Sequence, residues 1–466
     1  MTRPNILFLM SDEHRADVTG YEGNRVIRTP FLNELAATGV VFRNAYAPSP
    51  ICIPGRQAMM AGQLPRTCGC ERFGEDLAPG YMTFARRFSQ FAYATLCAGK
   101  LHHTGVDQMQ GWTERVAADA RVDARHIEGR DEASFAALEA PPRGWKWSDA
   151  EEVQKARHDT ASQNQTRDRF ALEAAQEAAR KYFVDMTLDR ATPDRSLLLK
   201  LSLIQPHYPY VTEPERMLYY FNRVTPYLDE PVFDHPFLST RQVRPGVDAT
   251  EREIRRATAA YYGMVESVDA HCAGIARTLE QIGQNLDDWI IVYVSDHGEM
   301  LGEHGVWEKQ KFFEGSARVP LIIRWPARFE PRVVEENVNL CDLFATLCEL
   351  ADIPLPETER GLDSRSLVPL MSGDTRKWHE RYHNETVSQF RGTNLMIKRG
   401  DLKYHSYDPD LPEVLFDLAT DPAERRNCID DPAYAGAVET FRRRRAELGF
   451  GPQADPDYRN AGYGAS

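Results

Sequence analysis

Short apolar runs alternate with longer amphipathic segments along most of the chain. Three runs are almost wholly apolar and only six to eight residues long, at residues 5–10, 197–204 and 289–294. Runs of this length and composition are typical of strands that are buried on both faces of a parallel sheet. Longer segments with helical periodicity lie between and after them, at residues 29–39, 167–182, 250–282 and 337–351. The alternation predicts an α/β fold with a large, mostly parallel sheet flanked by helices.

The pattern changes after residue 373. Short runs spaced like antiparallel strands follow, and then a helical segment, at residues 393–398, 403–405, 414–418 and 434–448. We therefore predict two domains, a larger one at residues 1–373 and a C-terminal subdomain with its tail at residues 374–466. Residues 117–159 are charged and weakly periodic, which predicts a surface insertion.

Polar residues follow each of the three apolar runs. They are Asp12 and Glu13 after the first run, His207 after the second, and Asp296 with His297 after the third. Because open α/β sheets bind ligands at the carboxyl ends of their strands, these side chains are expected to converge. For any one of them taken alone, a solvated loop or a rigid turn after the strand is the alternative.

The segment at residues 49–62 begins SPICIPGR and continues as a helix-like run that ends at a glycine. It places Cys52, Pro54 and Arg56 in a C-x-P-x-R frame. This frame resembles the signature of the sulfatase family, in which the cysteine is oxidised after synthesis to Cα-formylglycine. The resemblance implies a formylglycine at position 52, whose aldehyde hydrate supplies an oxygen nucleophile. Taken alone, so short a pattern is also compatible with a buried free cysteine beside a turn proline.

Four further segments match sulfatase motifs in the family's order. They are GKLHHTG at residues 99–105, QPHYPY at 205–210, the stretch from SDHGE to FFEG at 295–315, and LFDLATDPAE at 415–424. The resemblance covers the chain from Asn5 to about Leu448, and its motifs look most like those of choline sulfatases and their bacterial relatives. It implies the alkaline phosphatase-like α/β sandwich, with a catalytic domain followed by a small antiparallel sheet and a helix.

The resemblance also implies a metal centre at the strand ends. Its ligand set in this chain is Asp12, Glu13, Asp296, His297 and the modified Cys52. Glu13 departs from the family's second aspartate, so its longer arm could bind the ion, contact the nucleophile or point elsewhere. Oxygen ligands dominate the set, which therefore favours Ca²⁺, with Mg²⁺ or Mn²⁺ as alternatives, over zinc.

Cationic residues are implied around the sulfate group. Lys100, Lys309 and His207 would surround its oxygens and stabilise the charge that builds in the transition state. The leaving alcohol would take its proton from His207 or Lys309. Arg56 would brace the aldehyde hydrate, and Lys311 is the neighbouring alternative to Lys309.

Two further histidines are candidates for the same site. His102 would take a proton from the second hydroxyl of the hydrate as sulfate leaves, with His103 as the alternative register. His304 is predicted to contact the substrate, although a loop histidine that stabilises its own turn is the competing interpretation. A choline-type ester would also need an aromatic cage, for which the candidates are Tyr208, Tyr210, Trp307 and Phe312.

Together the motifs predict a metal-dependent hydrolase of sulfate esters that works through a covalent sulfo-enzyme. The alternative is a phosphonate monoester or phosphodiester hydrolase of the same superfamily, but the GxWxK spacing before Phe313 argues against it. A third interpretation is a binding protein that keeps the fold without activity. The filled nucleophile, metal and lysine positions argue against that interpretation.

Composition narrows the expected partners and compartment. A formal net charge of −13 and an isoelectric point near 5.6 argue against nucleic acid or anionic membranes as partners. No apolar stretch is long enough to cross a bilayer. Eight cysteines without a visible export signal indicate reduced thiols, so we expect a cytoplasmic protein. Its expected partners are a small-molecule sulfate ester and, transiently, a formylglycine-generating enzyme, and a homo-oligomer is left open.

Overall fold

The computed structural model describes residues 3–117, 149–188, 195–231 and 233–451. Seventeen strands lie in this part of the chain. Numbered in chain order, they are β1 (Ile6–Asp12), β2 (Val40–Phe42), β3 (Ala45–Tyr46), β4 (Ala94–Gly99), β5 (Glu114–Arg115), β6 (Arg157–His158), β7 (Leu197–Pro206), β8 (Val211–Thr212), β9 (Ile290–Ser295), β10 (Arg318–Val319), β11 (Leu321–Arg324), β12 (Arg332–Val334), β13 (Val338–Asn339), β14 (Glu385–Phe390), β15 (Asn394–Arg399), β16 (Leu402–Ser406) and β17 (Val414–Asp417).

Helices lie on both sides of the main sheet and around the C-terminal one. Those in the described residues are α1 (Pro30–Ala37), α2 (Cys52–Ala61), α3 (Pro65–Cys68), α4 (Phe84–Gln90), α5 (Asp149–Gln154), α6 (Gln163–Leu188), α7 (Pro214–Phe221), α8 (Glu251–Gln281), α9 (Glu314–Ala317), α10 (Asp342–Leu350), α11 (Val368–Met371), α12 (Arg376–Tyr382) and α13 (Ala435–Glu447). None of them is both long and apolar enough to cross a membrane.

Eight strands form the central sheet, in the order β12-β2-β11-β9-β1-β7-β4-β5. Alternate side chains of β1 point to opposite faces, where Ile6, Phe8 and Met10 pack with α4 and α10, and Leu7 and Leu9 pack with α6 and α8. Both faces are therefore covered, and each fully buried side chain of this kind contributes about 1.5–3 kcal/mol through the hydrophobic effect. The predicted α/β sandwich is confirmed.

The register of the central strands brings their polar ends together. Strand β1 pairs in parallel with both β7 and β9, and Asp12 lies opposite Pro206 while Ser11 lies opposite Ser295. The residues that follow therefore leave the sheet at the same edge, as parallel strands require. Strand β11 runs antiparallel to both of its neighbours, so the sheet is mostly rather than wholly parallel.

A separate antiparallel sheet of four strands, β14-β15-β16-β17, lies in the C-terminal region. Helix α13 packs on it, with the rings of Tyr404 and Phe441 stacked 5.4 Å apart. The predicted small C-terminal sheet with a helix is confirmed, whereas the domain boundary at residue 373 stays a prediction. The predicted insertion falls largely on residues 118–148, and the predicted tail largely on residues 452–466; both ranges lie outside the described residues.

Candidate active site

Asp12, Cys52, Asp296 and His297 form a buried group, here called the Cys52 cluster. Each offers one ligand atom, and these atoms all lie within 4.8 Å of one another. Helix α2 begins at Cys52, which directs this side chain towards the ends of β1 and β9. The Cys52 Sγ lies 3.1 Å from His297 Nε2 and 3.7 Å from Asp12 Oδ1. The structure thus brings together four of the five predicted metal ligands.

Arg56, one helical turn beyond Cys52, ties the cluster together. Its Nε donates to Asp296 Oδ2 at 2.6 Å and its terminal nitrogen to Asp12 Oδ2 at 3.0 Å. Its other nitrogen donates to Lys100 O at 2.7 Å and Ser202 Oγ at 3.0 Å. One guanidinium therefore neutralises two buried carboxylates that come from different strands.

The first turn of helix α2, between Cys52 and Arg56, is closely packed. A Cβ at Gly55 would lie only 3.0 Å from Ser49 O and 3.5 Å from Asp296 O. Because 3.0 Å is tighter than most Cβ contacts, a side chain at this position would require a small shift of the Ser49 carbonyl, and glycine avoids this close contact.

Lys100 follows β4 and reaches the same carboxylate from the other side. Its Nζ lies 2.5 Å from Asp12 Oδ2 and 3.7 Å from Cys52 Sγ. Burial alone would raise the pKa of Asp12, but the charge of Lys100 above all, with that of Arg56, holds that pKa well below its usual value. Gly99 before it has a φ of 88°, and a Cβ there would lie 2.0 Å from Ser202 O, so only glycine fits.

His297 is held in the tautomer that suits a ligand. Its Nδ1 lies 3.0 Å from Gly298 O, and because a carbonyl only accepts, Nδ1 carries the proton. The lone pair of Nε2 therefore faces Cys52 Sγ, and burial lowers the pKa of His297, which keeps the ring neutral. Burial and, after it, the Asp12 carboxylate raise the pKa of the Cys52 thiol to about 12.

Glu13, His207 and Lys309 form a second group beside the first, here called the Lys309 group. The Lys309 Nζ donates to Glu13 Oε2 at 2.8 Å and to His207 Nε2 at 2.9 Å, and it lies 4.6 Å from the centre of the Tyr208 ring. The backbone of Glu13 is left-handed, with a φ of 68°, and its Oε1 is buried with no hydrogen-bond partner among the described residues. The carboxylates of Glu13 and Asp12 and the imidazole of His207 make a second possible set of ligand atoms.

The proton between Lys309 and His207 resides on Lys309. Burial raises the pKa of Glu13 well above its usual value, against the opposing effect of the Lys309 charge. Burial opposes the charge, but Glu13 raises the pKa of Lys309 well above its usual value. Burial, then the charges of Lys309 and Lys100, lower the pKa of His207 well below its usual value. His207 donates from Nδ1 to Tyr208 O at 2.7 Å, so its Nε2 accepts from Lys309.

His102 and His103, which follow Lys100, lie in different surroundings. Burial, then the charges of Lys100 and Arg56, lower the pKa of His102 well below its usual value, and its ring packs edge-on against Phe73 with ring centres 6.0 Å apart. His103 instead pairs through Nδ1 with Gln108 O at 3.1 Å, and the charges that lower its pKa, after burial, are those of Arg115 and Lys200. The charges of the site thus act on His102, while the roles of both histidines stay predictions.

Other predicted residues lie elsewhere. His304 stacks on Phe313 with ring centres 4.1 Å apart, and its described contacts do not include the Cys52 cluster. Lys311 is buried and donates to Phe237 O and Thr240 Oγ1, both at 2.6 Å. Three of the four candidates for an aromatic cage pack in hydrophobic clusters and are only 1% exposed, namely Tyr210, Trp307 and Phe312. The cage itself stays a prediction.

Two buried residues that support the site were not foreseen. Tyr261 on α8 donates to Glu13 O at 2.6 Å and accepts from Arg15 N at 2.8 Å. Asp168 on α6 accepts from Ile204 N at 2.7 Å and Gln205 N at 2.9 Å, where β7 leads towards His207. Each lies within a long helical segment and outside the sulfatase motifs, so no sequence signal singled them out.

Comparisons with known proteins agree with this geometry. The sulfatase family model matches residues 4–353, and the model for the C-terminal region of N-sulphoglucosamine sulphohydrolase matches residues 302–449. A choline-sulfatase of Rhizobium meliloti is 31% identical to this chain, over 92% of this chain and 83% of the relative. An arylsulfatase of Clostridium perfringens is 27% identical, over 95% and 93% of the two chains.

Solved structures share the fold. A phosphonate monoester hydrolase of Agrobacterium radiobacter superposes with a TM-score of 0.76 at 22% identity, covering 96% of this chain and 95% of the other. Likeness at this level of identity concerns the fold alone, whereas the family match spans most of the sequence. The chain therefore belongs to the sulfatase family, and it is a sulfuric ester hydrolase of the alkaline phosphatase superfamily.

Proposed function

We propose that the enzyme hydrolyses small-molecule sulfate esters with a formylglycine made from Cys52 and a divalent cation, through a covalent sulfo-enzyme. The observation that carries this proposal is the position of Cys52 at the start of α2, with Asp12, Lys100 and His297 within 3.7 Å of its Sγ. A thiol whose pKa is raised to about 12 is protonated at neutral pH and is a weak nucleophile. An aldehyde hydrate would supply two oxygens on one carbon, one to attack sulfur and one to lose its proton.

The donor set fits a divalent cation. Asp12 and Asp296 offer carboxylate oxygens, His297 offers a neutral nitrogen, and all are buried and already turned towards one point. Glu13 belongs to the proposed set through its partnerless Oε1, although its other oxygen binds Lys309. We propose Ca²⁺, with Mg²⁺ or Mn²⁺ as alternatives, because hard oxygen donors dominate. The ion would supply positive charge that polarises the sulfate oxygens.

Acidic and basic side chains of the site are paired before any ligand binds. Three buried acidic residues contact three basic ones, and these six are Asp12, Glu13, Asp296, Arg56, Lys100 and Lys309. A divalent cation would add positive charge to this set. That charge would stabilise the sulfate monoester anion and the deprotonated hydroxyl through which the reaction passes.

Proton transfer falls to the Lys309 group and to His102. Lys309 carries a proton next to His207, so either residue can deliver it to the alcohol oxygen that leaves from sulfur. The lowered pKa of His102 keeps its ring neutral, as a base must be. His102 would accept the proton of the second hydroxyl when sulfate departs.

Modification of Cys52 must precede the final fold. Its side chain is only 2% exposed and lies beneath Arg56 and the strand ends. We propose that a formylglycine-generating enzyme acts on the chain before α2 packs against the sheet. The cytoplasmic location and the homo-oligomer stay predictions.

A substrate panel tests the proposed reaction and its alternative. Purified enzyme would be assayed with p-nitrophenyl sulfate, p-nitrophenyl phenylphosphonate and bis(p-nitrophenyl) phosphate, with Cys52→Ala as the control for contaminating activity. We expect the highest kcat/KM for the sulfate ester and no turnover in the control. A higher kcat/KM for the phosphonate or the phosphodiester would instead establish the alternative function.

A further inference from the structure

The loop between His297 and Lys309 folds back on itself. Met300 N donates to Glu308 O at 2.7 Å, and Gly302 N donates to Val306 O at 2.8 Å, so the loop closes where Lys309 begins. The placement of the Lys309 ammonium therefore depends on how this loop is held at its base.

Glu299 lies at the base of this loop, between His297 and Lys309. Its side chain is fully buried, and one carboxylate oxygen accepts from both Leu301 N at 2.9 Å and Glu308 N at 2.6 Å. The other oxygen accepts from the Tyr210 hydroxyl at 3.0 Å. One carboxylate thus joins the two ends of the loop to the segment that carries His207.

The two backbone groups that Glu299 holds belong to strained residues. Leu301 has a φ of 53° and Glu308 a φ of 61°, both in the left-handed region. Such a conformation is unfavourable for a non-glycine residue and persists only where neighbouring contacts impose it. The donors to the Glu299 carboxyl group in the described residues are neutral, and they satisfy both of its buried oxygens.

We infer that Glu299 is a positioning residue for Lys309, which it places beside Glu13 and His207 by holding residues 301 and 308 in left-handed conformations. The inference rests on the proposed function, in which the Lys309 group protonates the leaving alcohol. Without the carboxylate, residue 308 relaxes and the ammonium moves away from its partners. A displacement of about 1 Å at a proton donor costs about 100-fold in rate.

The test compares variants on esters that need the proton to different degrees. Glu299→Ala, Glu299→Gln and Lys309→Ala would be assayed with p-nitrophenyl sulfate, a good leaving group, and phenyl sulfate, a poor one. Glu299→Ala should lower kcat about 100-fold for phenyl sulfate and far less for p-nitrophenyl sulfate, as Lys309→Ala also should. Glu299→Gln keeps an oxygen for both backbone donors, so its kcat should stay within about 10-fold of wild type.

Metal content and thermal midpoint, measured on the same preparations, separate positioning from other roles. An equal loss of kcat on both esters, a matching loss of bound metal in Glu299→Ala, or an inactive but folded Glu299→Gln would overturn the inference. If Glu299→Ala does not fold, Glu299→Asp takes its place, since the shorter arm cannot reach both donors. If Lys309→Ala itself leaves phenyl sulfate turnover unchanged, the proposed role of Lys309 falls and the inference falls with it.

Discussion

Replacing Arg56 with methionine should make the stability of the enzyme depend on bound metal. The substitution keeps an unbranched side chain but removes the guanidinium that contacts Asp12 at 3.0 Å and Asp296 at 2.6 Å. Both carboxylates are fully buried, so they would lose their shared counter-charge away from bulk solvent.

The magnitude follows from the contacts. Removing one partner of a buried ion pair costs about 3–5 kcal/mol, and two carboxylates are affected here. A divalent cation would neutralise the same two carboxylates. With the metal site saturated, the loss in free energy of unfolding should therefore be less than half of the loss without metal. By linkage, a variant that is destabilised less in the bound state binds the ion more tightly than wild type does.

Urea denaturation with chelator and with saturating Ca²⁺ measures both effects. The matched control is Arg365→Met, because Arg365 is equally buried and pairs with the fully buried Asp342 at 2.8 Å in another part of the fold. The control should lose a similar free energy of unfolding, independent of Ca²⁺, and keep its turnover number once folded. Arg56→Met should be inactive even with Ca²⁺, and it should lose more free energy of unfolding with chelator than with Ca²⁺.

The reasoning would be refuted if Arg56→Met lost the same free energy with and without metal. Full activity in the folded variant would be equally damaging, because the guanidinium also braces residue 52 in the proposed reaction. Calorimetric titration of Ca²⁺ gives the third check, since the dissociation constant should be lower in Arg56→Met than in wild type.

Three further expectations concern single residues. His102→Ala should give a burst of product followed by a stalled phase in stopped-flow assays, whereas His103→Ala should not; the reverse result would exchange the two assignments. Asp296→Ala should lower the bound metal measured by mass spectrometry, and unchanged stoichiometry would place the ion elsewhere. Burial raises the pKa of Asp168 from 3.8 to about 7, so the folded protein keeps a proton that the unfolded chain releases. Wild-type stability relative to Asp168→Asn should therefore decline between about pH 4 and 7, by at most about 1.4 kcal/mol per pH unit; a flat difference in urea midpoints would contradict this.

The site residues at the strand ends can be predicted from the sequence. Each apolar run is followed at once by a polar residue, and parallel pairing of β1 with β7 and β9 then brings Asp12, His207 and Asp296 to one edge. Chain order and sheet topology suffice for this inference, because the register of parallel strands leaves few other arrangements.

The conformations of the loops in the site cannot be predicted from the sequence in the same way. Glu13, His102 and Glu308 all have left-handed backbones, which residue type does not predict for any of them. The directions of their side chains depend on contacts made only in the folded chain, such as the hydrogen bond from Lys309 to Glu13. The aromatic residues beside the motifs show the same limit, since an apolar residue next to a motif can face the core as readily as a ligand.

The chemical state of residue 52 is the central claim of this account. Mass spectrometry of the tryptic peptide from Asn44 to Arg56 distinguishes the thiol from the aldehyde and measures their ratio. Across preparations made with different amounts of modifying enzyme, sulfatase activity should rise in proportion to the aldehyde fraction. A fully active preparation in which this peptide carries only the thiol would contradict the proposed mechanism.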